Sequence, residues 1–153
     1  MSKWRDLSIA NGPALYDLFG DGDALFVAGE GGALFRSDDG GARWSPLETT
    51  FQGTLFQLAG SGSDDLYAVG YSKHGSILLR SDDGRRFRKL PIGRRQMLRS
   101  VAVWGDEVYA VGSREIIKSA DRGQSFEVVF QDKNRRLVVT VGDNGFVVGA
   151  NPV

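Results

Sequence analysis

The 153-residue chain is 41% hydrophobic and 25% charged, the composition of a globular domain that can bury its own core. Its 19 basic and 19 acidic residues cancel, which excludes a uniformly basic nucleic-acid binder and an acidic solvating tail. The sequence has no Cys and a single His, His74, which excludes a disulfide scaffold, a cysteine nucleophile and a multi-histidine metal site. Its 21 Gly favour many short strands joined by tight turns.

A short apolar run occurs four times along the chain, with starts separated by 41, 42 and 38 residues. A turn rich in Gly and Asp precedes each copy, and another short apolar run precedes that turn. After each of the first three copies comes a third run that ends in Ser, then an acidic Gly turn and a fourth run that opens on an aromatic residue. The four copies are Leu25-Phe26-Val27-Ala28-Gly29, Leu66-Tyr67-Ala68-Val69-Gly70, Val108-Tyr109-Ala110-Val111-Gly112 and Phe146-Val147-Val148-Gly149.

These repeats predict an all-β protein, a β-propeller of four-stranded antiparallel blades. Four short strands with a period near 40 residues are typical of a propeller blade. Helices are disfavoured because no stretch keeps a helical apolar spacing for three turns without a Gly. We expect one domain over residues 1–153, with blades at residues 13–50, 54–92, 97–130 and 136–153 and an outer strand at residues 2–9.

The last repeat reaches only its second strand, so the fourth blade is expected to be incomplete. The sequence leaves three interpretations open: a ring of about four blades with a short last blade, a half-propeller arc that a second copy completes, and a fragment. An unfinished sheet edge is a physical reason to expect pairing with another strand. No signal segment or apolar run of membrane-spanning length is present, so as given the chain is expected to be cytoplasmic.

The turn between the third and fourth strands has a motif of its own. The Asp carboxylate can accept backbone N–H groups within the turn, Gly supplies a positive φ, and the aromatic residue packs back on the blade. The second copy is one residue shorter than the others. The motif residues are Ser37, Asp39, Gly41 and Trp44 in the first copy, Ser81, Asp83 and Phe87 in the second, and Ser119, Asp121, Gly123 and Phe126 in the third.

This motif resembles the Asp-box, or BNR, repeat (S-x-D-x-G-x-x-W/F), and the surrounding sequence is most similar to the branch of Ycf48-like photosystem II assembly factors. The resemblance implies a propeller in which the Asp boxes are structural elements at the blade edge, away from the ligand face. It also implies a non-enzymatic scaffold that holds a protein partner on a basic surface. The alternative is a glycan-binding or degenerate glycosidase-like module, since sialidases carry the same repeat.

An enzymatic function is not expected. A sialidase needs an arginine triad, a Tyr nucleophile with a supporting Glu and an acid/base Asp, and the F/Y-R-I-P motif of that family is absent. The acidic turns at Asp21 and Asp23 and at Asp64 and Asp65 offer oxygen ligands for Ca²⁺. Such turns recur in every repeat and need no metal, so neither a metal nor a cofactor is predicted.

Charge is unevenly distributed along the chain. Residues 80–100 carry a net charge of +6, whereas residues 1–79 carry −5. Arg dominates this segment, which suits bidentate pairing with carboxylates. The crossing between the second and third blades is expected at the face where propellers usually bind, and an acidic protein partner is favoured over nucleic acid. The candidate partner-binding residues are Arg94, Arg95 and Arg99 near that crossing and Arg85, Arg86 and Arg88 near the second turn. For Arg85, Arg86 and Arg88, a structural role is favoured, in protecting the sheet edge and in ion pairs with the acidic first blade. For Arg94, Arg95 and Arg99, the structural and the partner-binding roles are equally open.

Overall fold

The computed structural model describes residues 6–93, 97–132, 135–142 and 145–152. In the last two ranges it describes the strands and their pairing. The described chain is almost wholly β-structure, with one short 3₁₀ turn at Glu30–Gly32. No helix in these ranges is long and apolar enough to cross a bilayer.

Each of the first three repeats folds into a four-stranded antiparallel sheet in which neighbours in sequence are neighbours in space. The first sheet, blade 1, contains β1 (Leu15–Asp21), β2 (Ala24–Gly29), β3 (Leu34–Ser37) and β4 (Ser45–Pro46). Blade 2 contains β5 (Thr54–Gly62), β6 (Asp65–Ser72), β7 (Gly75–Ser81) and β8 (Arg88–Lys89). Blade 3 contains β9 (Leu98–Trp104), β10 (Glu107–Gly112), β11 (Glu115–Ser119) and β12 (Glu127–Gln131).

The fourth repeat forms a hairpin of β13 (Arg135–Gly142) and β14 (Gly145–Pro152). Strand β13 contacts β10, so the hairpin follows blade 3. Among the described residues the sheets do not close into a ring. The architecture is therefore a partial propeller, which confirms the predicted all-β propeller with an incomplete last blade.

Blade stacking explains why the strand sequences are apolar at consecutive positions. Side chains alternate between the two faces of a strand. In β6, Leu66 and Ala68 pack in the core that blade 2 shares with blade 1, and Tyr67 and Val69 pack in the core shared with blade 3. Both faces of β6 and β7 are buried along most of their length, so apolar residues occupy both faces of these two strands.

The two inter-blade cores have the same construction. Strand β5 packs on β1 and β2, and β9 packs on β5 and β6. Each core combines aromatic or aliphatic residues of one blade with the innermost strand of the next. The first core contains Phe26, Ala28, Leu34, Phe51, Leu55, Leu58, Leu66, Ala68, Ile77 and Leu79, and the second contains Tyr67, Val69, Leu78, Leu90, Ile92, Leu98, Val101, Val108, Ala110 and Ile117.

The outer strands of blades 1 and 2 are only two residues long. Pro46 ends β4 and has no N–H to donate, and Arg88 and Lys89 make up β8. Proline and cations on short edge strands prevent further pairing at the sheet edge. Of the outer strand expected at residues 2–9, residues 2–5 lie outside the described residues, and residues 6–9 form no strand. Within this segment, the Leu7 carbonyl accepts a hydrogen bond from Nε1 of Trp44 at 3.0 Å.

Leu55 tests the importance of blade stacking, because it is fully buried between blades 1 and 2. We expect Leu55→Ala to lower the free energy of unfolding by about 2–5 kcal/mol, through lost apolar burial and the cavity left behind. Val129→Ala on the exposed side of β12 is the control and should change it far less. Urea titration followed by tryptophan fluorescence measures both; equal losses would contradict the stacking argument.

Candidate functional site

The two ends of each blade carry different connections between strands. In an antiparallel meander, the first and third connections lie at one end of the sheet, and the second connection and the exit to the next blade lie at the other. The first end carries the motif turns and is called here the Asp-box end. The opposite end carries the crossing at residues 47–53 and the described residues 90–93 that follow blade 2, and it is called here the crossover end.

At the Asp-box end, the two full-length motif turns are closed by the same hydrogen bonds. In the first, the Ser37 hydroxyl donates to Asp39 Oδ1 and accepts from the Gly41 N–H, both at 2.8 Å. In the third, Ser119 makes the same two bonds, to Asp121 and from Gly123, both at 2.7 Å. The carboxylate then accepts N–H groups from the residues that follow, so each turn is a self-contained hydrogen-bonded unit.

The second turn is one residue shorter and keeps the carboxylate bonds. Asp83 Oδ1 accepts the backbone N–H groups of Arg85 and Arg86 at 2.8 and 2.7 Å. The carbonyl of Gly84 accepts a bond from Arg36 of blade 1 at 3.0 Å. The shorter turn therefore still closes, and it also joins blade 2 to blade 1.

Two motif glycines provide a docking point for the preceding outer segment. A Cβ on Gly123 would lie 2.6 Å from Leu90 Cδ1, and one on Gly41 would lie 2.8 Å from Leu7 Cδ1. Both glycines have positive φ, +85° and +87°, so a side chain there is disfavoured for two reasons. The sequence carries a signal of this contact: Leu7, Leu47 and Leu90 each stand eight residues before the first leucine of the next inner strand.

The bonds within the turns lower the pKa of all three motif aspartates. For Asp39 the main cause is the bond from the Arg43 guanidinium, and for Asp83 it is the backbone N–H groups of Arg86 and Arg85. For Asp121, bonds from the hydroxyls of Ser125 and Ser119 lower the pKa to about 2. The three carboxylates are therefore held in the ionised form at neutral pH.

A cation lies over an aromatic ring in each of the first three blades. The pairs are direct cross-strand partners: Phe26 with Arg36, Tyr67 with Arg80, and Tyr109 with Lys118. The cation-to-centroid distances are 5.1, 5.6 and 5.3 Å. This contact is attractive because the ring face is electron-rich. The sequence analysis missed the pairing, since the strand register was needed to find it.

The second of these pairs is buried and contains an ion pair. Arg80 Nη2 lies 3.0 Å from Asp65 Oδ1, and both side chains are largely buried. The Tyr67 hydroxyl beside them has no hydrogen-bond partner among the described residues. Burial, and then the nearby Asp65 charge, raise the pKa of Tyr67 to about 12. The phenol therefore stays neutral, and an unionised phenol is a poor nucleophile.

At the crossover end, the inner strands of blades 1, 2 and 3 have a β-bulge at the same place. In the pairing of β1 with β2, Tyr16 has no partner between Leu15 and Asp17. Phe56 is skipped in the same way in blade 2, and Arg99 in blade 3. The pairing of β13 with β14 has continuous register instead. A bulge redirects a side chain away from the regular alternation of the strand, and such redirected residues are frequent near binding sites.

The bulge residues Tyr16, Phe56 and Arg99 form what we call the bulge row. The rings of Tyr16 and Phe56 meet edge-on, with centroids 6.4 Å apart. Tyr16 and Arg99 are exposed and Phe56 is partly buried. The Arg99 guanidinium lies 3.0 Å from Met97 Sδ through Nη2. The row thus combines two aromatic rings with a cation on adjacent blades.

The residue after each of the first two bulges accepts hydrogen bonds from the next blade. Asp17 Oδ2 accepts the Leu58 N–H of blade 2 at 2.7 Å. Gln57 Oε1 accepts the Val101 N–H of blade 3 at 2.8 Å and the Ser100 hydroxyl at 2.7 Å. These bonds fix the spacing of the inner strands, and with it the spacing of the bulge row.

The structure separates the candidate arginines into two groups. Arg85 and Arg86 lie at the Asp-box end, where Arg85 pairs with Asp38 of blade 1 at 3.4 Å and Arg86 with Asp83 at 3.1 Å. Arg88 is exposed on β8. Arg99 lies at the crossover end, and Arg94 and Arg95 lie outside the described residues.

The acidic turns weighed as calcium sites are engaged in protein contacts. Asp21 Oδ2 accepts the Ser63 N–H of blade 2 at 2.8 Å, and Asp65 pairs with Arg80. No group of three or more His, Cys, Asp or Glu suited to a metal occurs among the residues whose side chains are described. His74, in the turn before β7, lines a groove with Lys89, Phe51 and Ser76 on blade 2.

Comparison with known proteins yields matches only in three-dimensional structure. No protein-family model matches the sequence, and no curated protein does. YCF48 from Cyanidioschyzon merolae has a TM-score of 0.79 and 16% identity, covering 99% of this chain and 54% of that one. A structure described as YCF48 bound to D1 peptide has a TM-score of 0.77 and 18% identity, covering 89% and 47%. An ancestral GH74 enzyme has a TM-score of 0.63 and 16% identity, covering 79% and 18%.

These likenesses define the class of protein by its fold: the described part of the chain is a partial β-propeller. Within that class it has the fold of the Ycf48 type, which confirms the resemblance drawn from the sequence at the level of fold. The chain spans about half the length of the two YCF48 chains it matches.

Asp121 allows the electrostatics of the motif turns to be tested by pH. Its pKa is about 2 in the folded chain against an ordinary value of 3.8, so the charged form stabilises the fold above the ordinary pKa. That stability is lost as the pH falls from about 4 towards about 2. Wild type should therefore melt at a higher temperature than Asp121→Asn at pH 7, and the gap should shrink over that window. Differential scanning calorimetry at several pH values measures it; a gap that does not change with pH would contradict the assignment.

Proposed function

We propose that this protein is a non-enzymatic interaction scaffold that binds a segment of a protein partner at the crossover end. The observation that carries the proposal is the bulge row. Three successive blades redirect the residue at the same position, and in this chain those residues are Tyr16, Phe56 and Arg99. A bulge at the same place in all three complete blades, with Tyr16 and Arg99 exposed, is more readily explained by binding than by packing.

The chemistry of the row favours a partner with both apolar and acidic groups. Aromatic rings and Arg are the side chains that most often dominate protein interfaces. Arg99 can pair with a carboxylate in a bidentate manner, and Tyr16 and Phe56 offer an apolar surface beside it. Arg94 and Arg95, in the crossing a few residues before Arg99, are proposed to add positive charge to the same site.

One of the matched structures supports a peptide as the ligand class. It is described as YCF48 bound to D1 peptide, so a propeller of this fold takes a peptide. We carry over only this general property, because the identity is 18% and the chain covers 47% of that protein. The identity of the partner of the present chain is left to experiment.

We propose that the motif aspartates build turns and take no part in catalysis. Asp39, Asp83 and Asp121 each accept several bonds from their own turn, which leaves little capacity for a substrate. A glycosidase needs two carboxylates facing each other across a cleft, one of them able to carry a proton near neutral pH. The lowered pKa of these three aspartates is the opposite of what a general acid requires.

We further propose that Arg85 and Arg86 are structural. Arg86 pairs within its own turn, and Arg85 reaches the first blade, which is the ion-pairing role weighed for it from the sequence. Both lie at the opposite end from the bulge row. They therefore provide matched controls for the arginine at the crossover end.

Binding should depend on Arg99 and not on Arg86. We expect Arg99→Glu to weaken binding of acidic peptides by at least about tenfold, a loss of about 1.4 kcal/mol, because it places like charges together. Arg86→Glu makes the same change of charge at the Asp-box end and should leave binding unchanged. The measurement is a microarray of acidic, neutral and basic peptides probed with labelled wild type and both variants, followed by titration calorimetry on the strongest peptide.

Phe56→Ala extends the test to the apolar part of the row and should weaken the same peptides without changing their order of charge preference. Equal losses from Arg99→Glu and Arg86→Glu would point to general charge attraction and would overturn the site. Saturable binding of glycans in place of peptides would favour the glycan-binding alternative.

A further inference from the structure

Blade 1 has one face that repeats the inter-blade contact surface of blades 2 and 3 but leaves it exposed. The first leucine of each inner strand is Leu15, Leu55 or Leu98; the last two are fully buried, whereas Leu15 is 39% exposed. Three residues further on, Leu58 and Val101 are buried, whereas Leu18 is 54% exposed. The strand register places Leu18, Leu58 and Val101 at the same position in their blades.

This open face of blade 1 is a groove of about 440 Å³, lined mainly by Leu7, Ile9, Leu15, Leu18, Val27 and Trp44. Part of the contact that joins two blades elsewhere in the chain is already present in this groove. Leu7 rests on Gly41 in the way that Leu90 rests on Gly123 between blades 2 and 3. Ile9 stands two residues after Leu7, as Ile92 stands two residues after Leu90, and both Leu90 and Ile92 are buried.

The residues that cover the equivalent faces define what fits here. Leu55 and Leu58 of blade 2 share a core with Phe26, Ala28 and Leu34, which come from the second and third strands of the preceding blade. The occupant of the open face is therefore expected to present the second strand of another blade, with an aromatic and an aliphatic residue at the positions of Phe26 and Ala28. An unrelated apolar ligand would not match the strand spacing.

We propose that the open face of blade 1 binds the β13–β14 hairpin of a second copy of this chain. Strand β14 carries Phe146-Val147-Val148-Gly149, the same apolar pattern as the covering strand β2. Among the described strands, β14 is paired with β13. The hairpin of the same chain follows blade 3 and leaves Leu18 exposed, which favours a hairpin from another copy.

Two copies related by a twofold axis satisfy both open surfaces at once. Each copy would place its hairpin on blade 1 of the other, a head-to-tail contact that closes into a ring. Each copy contributes three complete blades and a hairpin, so two copies give about eight blades, within the usual range for propellers. The crossover ends of both copies then lie on one ring, with two bulge rows.

Native mass spectrometry of the purified chain tests the proposal. We expect a discrete species at twice 16.6 kDa for wild type. Leu18→Asp places a charge on the open face at a position that is exposed in the single chain, so it should give the 16.6 kDa monomer with an unchanged circular dichroism spectrum. Val129→Asp introduces the same charge at an exposed apolar site on β12 and should remain a dimer.

A second measurement identifies the surfaces in contact. Since the chain has no Cys, Leu18→Cys with Phe146→Cys provides the only thiols for a short bismaleimide cross-linker. Cross-linked chains that run as dimers support the proposal, whereas cross-links within a monomer would show that one chain closes on itself and would overturn it. A wild-type monomer at all accessible concentrations, a Leu18→Asp dimer, or an open series of larger oligomers would also overturn it.

Discussion

Burial of the innermost strand of one blade against its predecessor is the contact on which the rest of the structure depends. No single four-stranded sheet here can bury its own apolar residues, because the second and third strands of the middle blade are apolar on both faces. Stacking covers Leu55 and Leu58 with blade 1, and Leu98 and Val101 with blade 2. The same requirement is not met on the open face of blade 1, where Leu15 is 39% and Leu18 54% exposed.

The two ends of the stacked blades also differ in the contacts they make. At the Asp-box end, hydrogen bonds within each turn fix the connection to the outer strand, and Arg36 and Asp21 tie neighbouring turns together. At the crossover end, Asp17 and Gln57 accept backbone N–H groups of the next blade and so set the distance between inner strands. Of the bulge residues beside them, Tyr16 is exposed and Phe56 is partly buried. One end is therefore committed to structure, and the other presents variable side chains on a fixed frame, an arrangement suited to binding.

The sequence predicted the fold because the repeat is visible in residues that have few alternatives. The Gly-ending apolar runs and the Ser, Asp and Gly of the motif turns depend on local backbone chemistry, which does not require knowledge of distant contacts. The sequence did not reveal the bulge row, because it mixes two aromatic residues, Tyr16 and Phe56, with the cation Arg99, and the three share only a skipped position in the register. The sequence also could not show that Arg85 and Arg99 lie far apart, since both belong to one basic segment. The fold places Arg85 at the Asp-box end and Arg99 at the crossover end.

The sequence by itself determined the strand-forming segments, the four repeats and the closure of the three motif turns, because each follows from hydrophobic patterning or from bonds within a few residues. Tertiary structure decided which face of each strand is covered, which arginines are already paired and where the arc is left open. These depend on how one blade packs against the next. Leu15 and Leu55 occupy the same place in their repeats, but Leu55 is buried by its contact with blade 1, whereas Leu15 is 39% exposed.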